Sequence, residues 1–238
     1  MSIPMIPVVI LAGGRGERMG SATDSLPKAM LPFGGKPILE RLIETIAAAG
    51  WREIHLCLGY RADAVRAHFG DGARWAVALR SHEETIPRGT AGAIADLRPF
   101  IGDEALVVYG DLHADMNLPR FAAFHAGRPD AAASLAVIET DHPFDSDLAR
   151  LDGERLTGFY RVRPGEAHEP QALAAVWAVR GALLDLVPRD RPSDFGRDIF
   201  PEALRRGLDL RGYRTGETLT DLGTPERLAL AEAALARR

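Results

Sequence analysis

The sequence predicts an α/β fold with a doubly wound, Rossmann-like mixed sheet, and three observations support this. Apolar runs that suit strands buried on both faces alternate with segments of helical periodicity. A glycine-rich turn closes the first apolar run, and no repeat or linker-like tract interrupts the chain. Strands that alternate with helices predict parallel pairing through right-handed crossovers. We therefore expect one domain over residues 1–238, with a β insertion in its second half.

Local patterns predict the elements of the first half. Residues 37–49 carry apolar side chains at the spacing of one helical face, and Gly50 follows as a C-terminal cap. The other apolar runs are short and end at glycine or polar residues. The predicted strands are 6–11, 53–58, 75–79 and 105–109. The predicted helices are 37–49, 61–69 and 90–97.

The second half mixes hairpin and helix patterns. Residues 147–163 alternate about a turn at Asp152-Gly153, which predicts a β-hairpin. Further strands are predicted at 131–138, 173–179 and 208–213. Helices are predicted at 118–126, 195–206 and 224–237.

Composition excludes several classes of protein. The 29 basic and 33 acidic side chains give a net charge of −4, which argues against broad nucleic-acid binding but is compatible with a small basic pocket. Cys57 is the single cysteine, so neither a disulfide framework nor a cysteine-rich zinc site is expected. The first apolar stretch, 6–12, is too short to span a bilayer. We expect no membrane partner and a cytoplasmic location.

A glycine-rich turn follows the first strand, where residues 11–20 read LAGGRGERMG. Such a turn lets backbone N–H groups approach a phosphate, and Arg15 and Arg18 add positive charge beside them. The dinucleotide-binding fingerprint fails because Met19 occupies its third glycine position. The P-loop pattern fails because Met30 stands five positions before Gly35. On its own, the turn is better explained as an ordinary connection between a strand and a helix.

A lysine between two prolines changes that interpretation. Residues 26–32 read LPKAMLP, so Lys28 is presented from a stiff segment. Together with the glycine-rich turn, this segment closely resembles the signature of the sugar-1-phosphate nucleotidyltransferases. The resemblance continues in residues 87–92 (PRGTAG), in Tyr109-Gly110-Asp111, and in residues 220–226 (TDLGTPE).

The resemblance implies a fold of the nucleotide-diphospho-sugar transferase type, in which residues 1–130 bind the nucleotide and 131–238 bind the sugar phosphate. It implies an enzyme that joins a nucleoside triphosphate to a sugar 1-phosphate and releases pyrophosphate. Mg²⁺ would be the cofactor, with Asp111 and Asp221 as its ligands and Arg18, Lys28 and Asp111 as catalytic residues. The implied nucleotide-binding residues are Leu11, Ala12, Gly13, Gly14, Arg15, Gly16, Glu84, Gly89 and Thr90.

Simpler interpretations of the two aspartates stay open. Asp111 could be an ordinary turn residue, and Asp221 could mark the entry to a helix capped by Thr224. The two lie 110 positions apart in the chain, so only folding could bring them together.

The residues expected to bind the sugar phosphate depart from the family's usual pattern. Val162-Arg163-Pro164 stands where relatives carry Glu-Lys-Pro, and residues 173–175 (LAA) replace Asn-Ala-Gly. Arg163 keeps a phosphate contact, and Asp145 and Asp194 are further candidates. The sequence is similar to the branch that activates heptose or mannose-type 1-phosphates. Alternatively, these loops are merely solvated, with Asp194 serving as a helix N-cap.

Glu84 stands five positions before Gly89, where the resemblance implies a side chain that reads the base, and a carboxylate there favours GTP because it accepts hydrogen bonds from both N1–H and N2–H₂ of guanine. Alternatively, Glu84 simply faces solvent, as most glutamates do. Uridylyl or cytidylyl transfer to another sugar 1-phosphate is the alternative activity. A catalytically silent, nucleotide-sensing subunit is a third hypothesis, which the presence of Lys28, Asp111 and Asp221 disfavours. We expect a monomer or small homo-oligomer.

Overall fold

Strands and helices alternate along the chain in the computed structural model, which describes residues 5–237. The strands are β1 (Val8–Leu11), β2 (Pro32–Phe33), β3 (Lys36–Pro37), β4 (Glu53–Leu58), β5 (Ala78–Glu83), β6 (Glu104–Tyr109), β7 (Leu112–Asp115), β8 (Ala133–Glu139), β9 (Leu148–Asp152), β10 (Arg155–Tyr160), β11 (Gln171–Arg180), β12 (Leu210–Arg214) and β13 (Thr218–Asp221). The helices are α1 (Ile38–Ala48), α2 (Ala62–Phe69), α3 (Gly89–Asp96), α4 (Arg98–Ile101), α5 (Leu118–Ala126), α6 (Gly181–Leu184), α7 (Phe200–Arg205) and α8 (Pro225–Leu235). Short 3₁₀ segments cover Glu17–Thr23, Lys28–Met30, Ala73–Trp75 and Pro143–Asp145.

These elements form two compact units, each assembled from separate segments of the chain. Unit I contains residues 7–86, 108–118 and 218–237, and unit II contains residues 5–6, 87–107 and 119–217. The units interleave along the chain, and the division of nucleotide and sugar-phosphate binding between 1–130 and 131–238 stays a prediction. Within residues 5–237, no helix has the length and apolar character needed to cross a bilayer.

Unit I is built on a parallel sheet in the order β5-β4-β1. The side chains of Val8, Val9 and Ile10 are fully buried, as expected for a strand covered on both faces. Helix α1 buries its apolar stripe, including Leu42 and Ile46, as its periodicity predicts. The carboxyl ends of the parallel strands therefore point in one direction, and the turns that follow them are brought together.

Unit II contains a mixed sheet. Strand β8 pairs antiparallel with β11 and parallel with β12, and β12 continues through β10 to β9 with antiparallel pairing. The hairpin predicted at 147–163 is confirmed as β9 and β10, with Gly153 in its turn at φ 58°. The other predicted strands and helices are found within a few residues of their expected bounds, with two exceptions.

The first exception is the third strand, which was expected at 75–79 and instead begins at Ala78 and continues to Glu83. A 3₁₀ turn occupies Ala73–Trp75, and Ala76 adopts a left-handed conformation at φ 55°, which prevents an extended strand there. The second exception lies in the predicted helix 195–206. Its first turn, Phe195–Ile199, is a π turn, because the carbonyl of Asp194 accepts from the N–H of Ile199 at 3.2 Å.

His125 in α5 is fully buried in unit II and does not belong to the predicted site. Its Nδ1 lies 2.7 Å from Ser134 Oγ, and its Nε2 lies 3.1 Å from Glu104 Oε1. Burial, and secondarily the nearby charge of Arg180, lowers the pKa of His125 to about 3. As the pH falls, His125 therefore takes up a proton near pH 6.5 in the unfolded chain, but only near pH 3 in the folded chain.

We predict that the free energy of unfolding falls as the pH is lowered from about 6.5 towards 3, because the unfolded state binds more protons there. His125 alone should contribute a loss of about 2 kcal/mol between pH 7 and pH 5. Urea unfolding of the wild type and of His125→Gln at both pH values measures this, and the variant should lose part of the pH dependence. His142→Gln, at an exposed histidine, is the control. Equal pH dependence in wild type and His125→Gln would contradict the prediction.

Candidate active site

The segments of unit I that follow β1, β4 and β6 lie side by side. The N–H of Ala12 donates to the carbonyl of Cys57 at 2.9 Å, which joins the turn after β1 to the end of β4. The N–H of Gly110 donates to the carbonyl of Leu11 at 2.8 Å, which adds the turn after β6. Ligands of open α/β sheets bind at this carboxyl edge of the strands. The glycine-rich turn and Asp111 are therefore neighbours, as the sequence predicts.

The close approach of two of these turns depends on glycine. A Cβ atom on Gly59 would lie 2.8 Å from the carbonyl oxygen of Gly13, and one on Gly13 would lie 3.2 Å from the nitrogen of Gly59. Any side chain at either position would push the turns apart. The backbone of residues 12–16 is thereby held against the end of β4, with Gly14 and Arg15 exposed to solvent.

Gly16 makes room for the lysine of the second motif. It adopts φ 78°, and a Cβ atom there would lie 2.7 Å from the Cβ of Lys28. Lys28 opens the 3₁₀ turn that follows Pro27, and only 7% of its surface is exposed. A lysine is seldom buried unless its ammonium group is paired. The spacing between the two motifs therefore reflects direct packing of one on the other.

Lys28 brings the two predicted metal ligands together. Its Nζ contacts Asp111 Oδ2 and lies 3.5 Å from Asp221 Oδ1. The aspartates approach because β7 and β13 pair as an antiparallel ribbon, with Leu112 opposite Asp221. The N–H of Leu222 also donates to the carbonyl of Asp111 at 3.1 Å. The two residues that are 110 positions apart in the chain thus share one cation.

Two arginines also approach the carboxylate of Asp221. Arg18 Nη2 lies 3.6 Å from Asp221 Oδ2, and Arg227 Nη1 donates to the same oxygen at 2.8 Å. The side chains of Asp111 and Asp221 remain 26% and 37% exposed, so a ligand can reach them. Two carboxylates among three cations form a site suited to a polyanion and a metal ion together.

An apolar cluster fixes the segments that carry these charged groups. It consists of Met19, Leu31, Phe33, Ile38 and Leu222, with Leu228, Ala231 and Leu235 of α8 packed against it. The cluster joins the residues next to Arg18, Lys28 and Asp221. Thr224 caps α8 by accepting from the N–H of Arg227 at 3.3 Å, so the capping role considered for this segment is present alongside the carboxylate contacts.

Glu84 lies over the glycine-rich turn. Its N–H donates to the carbonyl of Leu58 at 2.9 Å, directly after β5. Its Oε2 is 3.4 Å from the position that a Cβ atom of Gly13 would occupy. A carboxylate therefore lies beside the turn predicted to frame the nucleotide, and its role in reading the base stays a prediction.

The candidate nucleotide residues of unit II form a separate polar cluster. Thr90 Oγ1 donates to Asp194 Oδ2 at 2.8 Å and accepts from the N–H of Phe195 at 3.1 Å. Gly89, at φ 74°, packs against the carbonyl of Ser193. Asp194 Oδ1 caps the following π turn by accepting from the N–H groups of Gly196 and Arg197 at 3.0 and 3.3 Å. The capping role considered for Asp194 is therefore confirmed, and its role in sugar binding stays a prediction.

The predicted sugar-phosphate residues Arg163 and Asp145 are both exposed in unit II. Val162 points into an apolar cluster with Leu148 and Ala172. The sequence reasoning overlooked an ion pair in this region, in which Arg161 Nε donates to Asp147 Oδ1 at 2.7 Å. The two residues face each other at the open end of the β9–β10 hairpin, directly beyond the Leu148–Tyr160 pair, so the hairpin predicted at 147–163 was the signal that could have revealed them.

The carboxylate oxygens of Asp111 and Asp221 are the kind of ligand that Mg²⁺ prefers. Asp111 and Asp221 supply hard carboxylate oxygens that already converge on one cation, and Mg²⁺ is usually held by one or two carboxylates together with substrate phosphates and water. Within residues 5–237, no group of three or more His, Cys, Asp or Glu side chains is arranged to hold a metal ion by itself. Asp111 and Asp221 are the residues that would hold Mg²⁺ here.

The site lies at the strand ends of a mixed α/β fold and combines a glycine-rich turn, a buried lysine and two carboxylates. This combination is typical of proteins that bind phosphoryl groups. Comparisons with known proteins identify the family. Residues 7–148 match the family model described as nucleotidyl transferase, so the chain belongs to this family. It is 29% identical over 239 residues to the mannose-1-phosphate guanylyltransferase of Mycobacterium tuberculosis, covering 100% of this chain and 66% of that protein. The predicted membership of the sugar-1-phosphate nucleotidyltransferase family is confirmed.

Solved structures confirm the fold. HddC from Yersinia pseudotuberculosis, complexed with GMP-PN, aligns with a TM-score of 0.80 at 23% identity, covering 97% of this chain and 100% of that chain. A candidate glucose-1-phosphate thymidylyltransferase from Bacillus anthracis aligns with a TM-score of 0.85 at 22% identity, covering 98% and 96%. The chain spans about half to two thirds of the length of the curated relatives it matches.

Proposed function

We propose that the protein transfers a nucleotidyl group from a nucleoside triphosphate to a sugar 1-phosphate, with release of pyrophosphate. The observation that carries this proposal is the buried Lys28 held between Asp111 and Asp221 beside the glycine-rich turn. A catalytically silent nucleotide sensor would not need this arrangement. The membership of the nucleotidyl transferase family supports the same conclusion.

The reaction needs positioning and charge neutralisation rather than a covalent intermediate. The backbone N–H groups of residues 13–16, together with Arg15 and Arg18, bind the triphosphate. A phosphate oxygen of the sugar 1-phosphate attacks the α-phosphorus, and the bond from the α-phosphorus to the oxygen bridging to the β-phosphorus breaks as pyrophosphate leaves. Lys28 holds its ammonium charge next to the transferring phosphoryl group, where negative charge is redistributed in the transition state.

Asp111 and Asp221 would hold Mg²⁺, which would supply charge neutralisation and orientation of phosphate oxygens. Arg227 keeps the carboxylate of Asp221 in place from its other side. Because Lys28 and Arg18 also approach these carboxylates, the protein's own side chains partly balance the charges of the site. The arrangement is preorganised, which lowers the cost of reorganisation during the reaction.

Two findings support GTP and a heptose- or mannose-type sugar. Glu84 lies beside Gly13 and can accept from two donors of guanine. The names of two similar proteins, the mannose-1-phosphate guanylyltransferase and HddC in complex with GMP-PN, agree with this choice. The similar structure described as a thymidylyltransferase is the reason to keep the transfer of a different nucleotide, including uridylyl or cytidylyl transfer, as the second candidate activity.

The proposal is tested by a matrix of GTP, ATP, UTP, CTP and dTTP against mannose, glucose, N-acetylglucosamine and heptose 1-phosphates, scored by release of pyrophosphate. We expect release only when both substrates and Mg²⁺ are present, and the highest rate with GTP and a mannose- or heptose-type phosphate. Pyrophosphate release that does not depend on any sugar 1-phosphate would contradict the proposal.

Location in the cytoplasm and assembly as a monomer or small homo-oligomer remain predictions.

Glu84→Gln is predicted to erode the preference for GTP over UTP without abolishing turnover, since glutamine replaces one of the two acceptor oxygens with a donor. The ratio of kcat/KM for the two nucleotides should fall by roughly 10-fold, the cost of one mismatched hydrogen bond. Glu83→Gln is the matched control, because Glu83 is the preceding residue and pairs with Arg66. An unchanged ratio in Glu84→Gln would remove Glu84 from base recognition.

A further inference from the structure

We infer that Tyr60 and Asp24 are positioning residues that control Arg15, the first arginine of the glycine-rich turn, and thereby set the affinity for the triphosphate. The inference rests on the proposed function in one respect, which is that Arg15 binds the triphosphate. Neither Tyr60 nor Asp24 belongs to the motifs discussed above. Their importance follows from contacts made within unit I.

The guanidinium group of Arg15 already has two partners. Its Nη2 lies 3.3 Å from Asp24 Oδ1, and its Cζ lies 5.4 Å from the centre of the Tyr60 ring. Half or more of each side chain in the Arg15–Asp24 pair is exposed, so the pair is weak and can exchange partners. A triphosphate that binds Arg15 must therefore compete with the carboxylate of Asp24.

Tyr60 joins the two segments that present the arginines. Its N–H donates to the carbonyl of Gly13 at 3.0 Å, and its hydroxyl donates to the carbonyl of Asp24 at 2.9 Å. Asp24 terminates the 3₁₀ segment that carries Arg18, and the buried hydroxyl of Thr23 ties this segment back to the carbonyl of Gly16 at 3.3 Å. One tyrosine thus fixes the start and the end of the phosphate-binding segment.

Arg61, the residue after Tyr60, makes further contacts with Asp24 and with the Tyr60 ring. Arg61 Nη2 donates to the carbonyl of Asp24 at 3.2 Å, and its Cζ lies 5.9 Å from the Tyr60 ring, on which Arg15 also stacks. Arg61 holds a left-handed conformation at φ 54°, which is unfavourable for a residue with a side chain. Such conformations persist where surrounding contacts determine them, and they cluster at functional sites.

These contacts predict effects of opposite sign for two conservative changes. Asp24→Asn removes the charge that competes for Arg15, so nucleotide should bind more tightly. Tyr60→Phe keeps the ring but removes the hydroxyl that anchors Asp24, so the segment is less preorganised and nucleotide should bind more weakly. A purely structural role would lower affinity in both variants.

The experiment measures binding of GTP by calorimetry, with inorganic tripolyphosphate as a probe that lacks a base. We expect affinity to rise roughly two- to fivefold in Asp24→Asn and to fall roughly two- to tenfold in Tyr60→Phe. In an Arg15→Gln background, Asp24→Asn should have no effect, because the competition has been removed. Asp63→Asn, which removes an exposed negative charge at the start of α2, should leave the affinity unchanged.

Weaker or unchanged binding in Asp24→Asn, or the same gain in the Arg15→Gln background, would overturn the inference. Unaltered binding in Tyr60→Phe would remove Tyr60 from it. Failure of the proposed function is distinguishable from these results, because wild-type protein would then bind nucleotide without releasing pyrophosphate when a sugar 1-phosphate is added.

Discussion

Asp111→Asn is expected to lower kcat on the order of 10²- to 10³-fold, and Asp221→Asn should lower it by a slightly smaller factor. The measurement is the rate of pyrophosphate release at saturating substrates. Asparagine preserves the size of the side chain but removes the charge that would hold Mg²⁺ and that faces Lys28. Both carboxylates are partly exposed, and Asp221 ends β13 while Asp111 directly precedes β7, so the fold should survive either change. The thermal unfolding temperature is measured alongside to confirm this.

Asp115→Asn is the matched control, since Asp115 stands on the same ribbon at its opposite end, across from Thr218. It should retain wild-type turnover. If Asp111→Asn kept a near-wild-type rate at limiting Mg²⁺, Asp111 could not be a metal ligand, and the same criterion applies to Asp221.

Lys28→Ala is expected to slow the chemical step on the order of 10²-fold while weakening nucleotide binding much less. Its ammonium group is buried and fixed between two carboxylates, so it stabilises charge where the phosphoryl group is transferred rather than attracting the substrate from solution. Single-turnover measurements with enzyme in excess separate the rate at saturation from the affinity.

Lys36→Ala provides the comparison, because Lys36 is exposed and pairs with Glu44 at 2.5 Å. This variant should behave like the wild type. A pure loss of affinity in Lys28→Ala, with an unchanged rate at saturation, would contradict the assigned role of Lys28.

Local sequence signals predicted the elements that build the site. The apolar run of β1, the glycines after it and the two prolines around Lys28 each act within a few residues, so their consequences are visible in the chain. The strand at 53–58 and the helix at 118–126 were predicted with the bounds that the structure shows. The position of β5 was not, because the left-handed turn at Ala76 has no marker in the sequence.

The convergence of Asp111 and Asp221 could be expected only through the resemblance to a family. Their meeting depends on the pairing of β7 with β13, and neither four-residue strand has a pattern strong enough to predict its partner. Contacts between distant segments such as these require the fold.

The role of Tyr60, near the predicted nucleotide site, likewise could not be predicted from the sequence. It follows β4 in a segment that gives no functional signal, yet its two backbone partners belong to the turn after β1 and to the end of the 3₁₀ segment. Asp194 illustrates the opposite case. Its capping role could be predicted from the residues around it, because N-capping involves only the next two or three N–H groups.

The fate of labelled phosphorus tests the central claim most directly. Wild-type protein is incubated with a sugar 1-phosphate, Mg²⁺ and GTP that carries ³²P in either the α or the γ position. If the site transfers the nucleotidyl group, the α label must appear in a sugar nucleotide and the γ label in pyrophosphate, and both products must form far more slowly in Asp111→Asn. Recovery of the γ label in the sugar product or in inorganic phosphate would show attack at the terminal phosphorus and contradict the account.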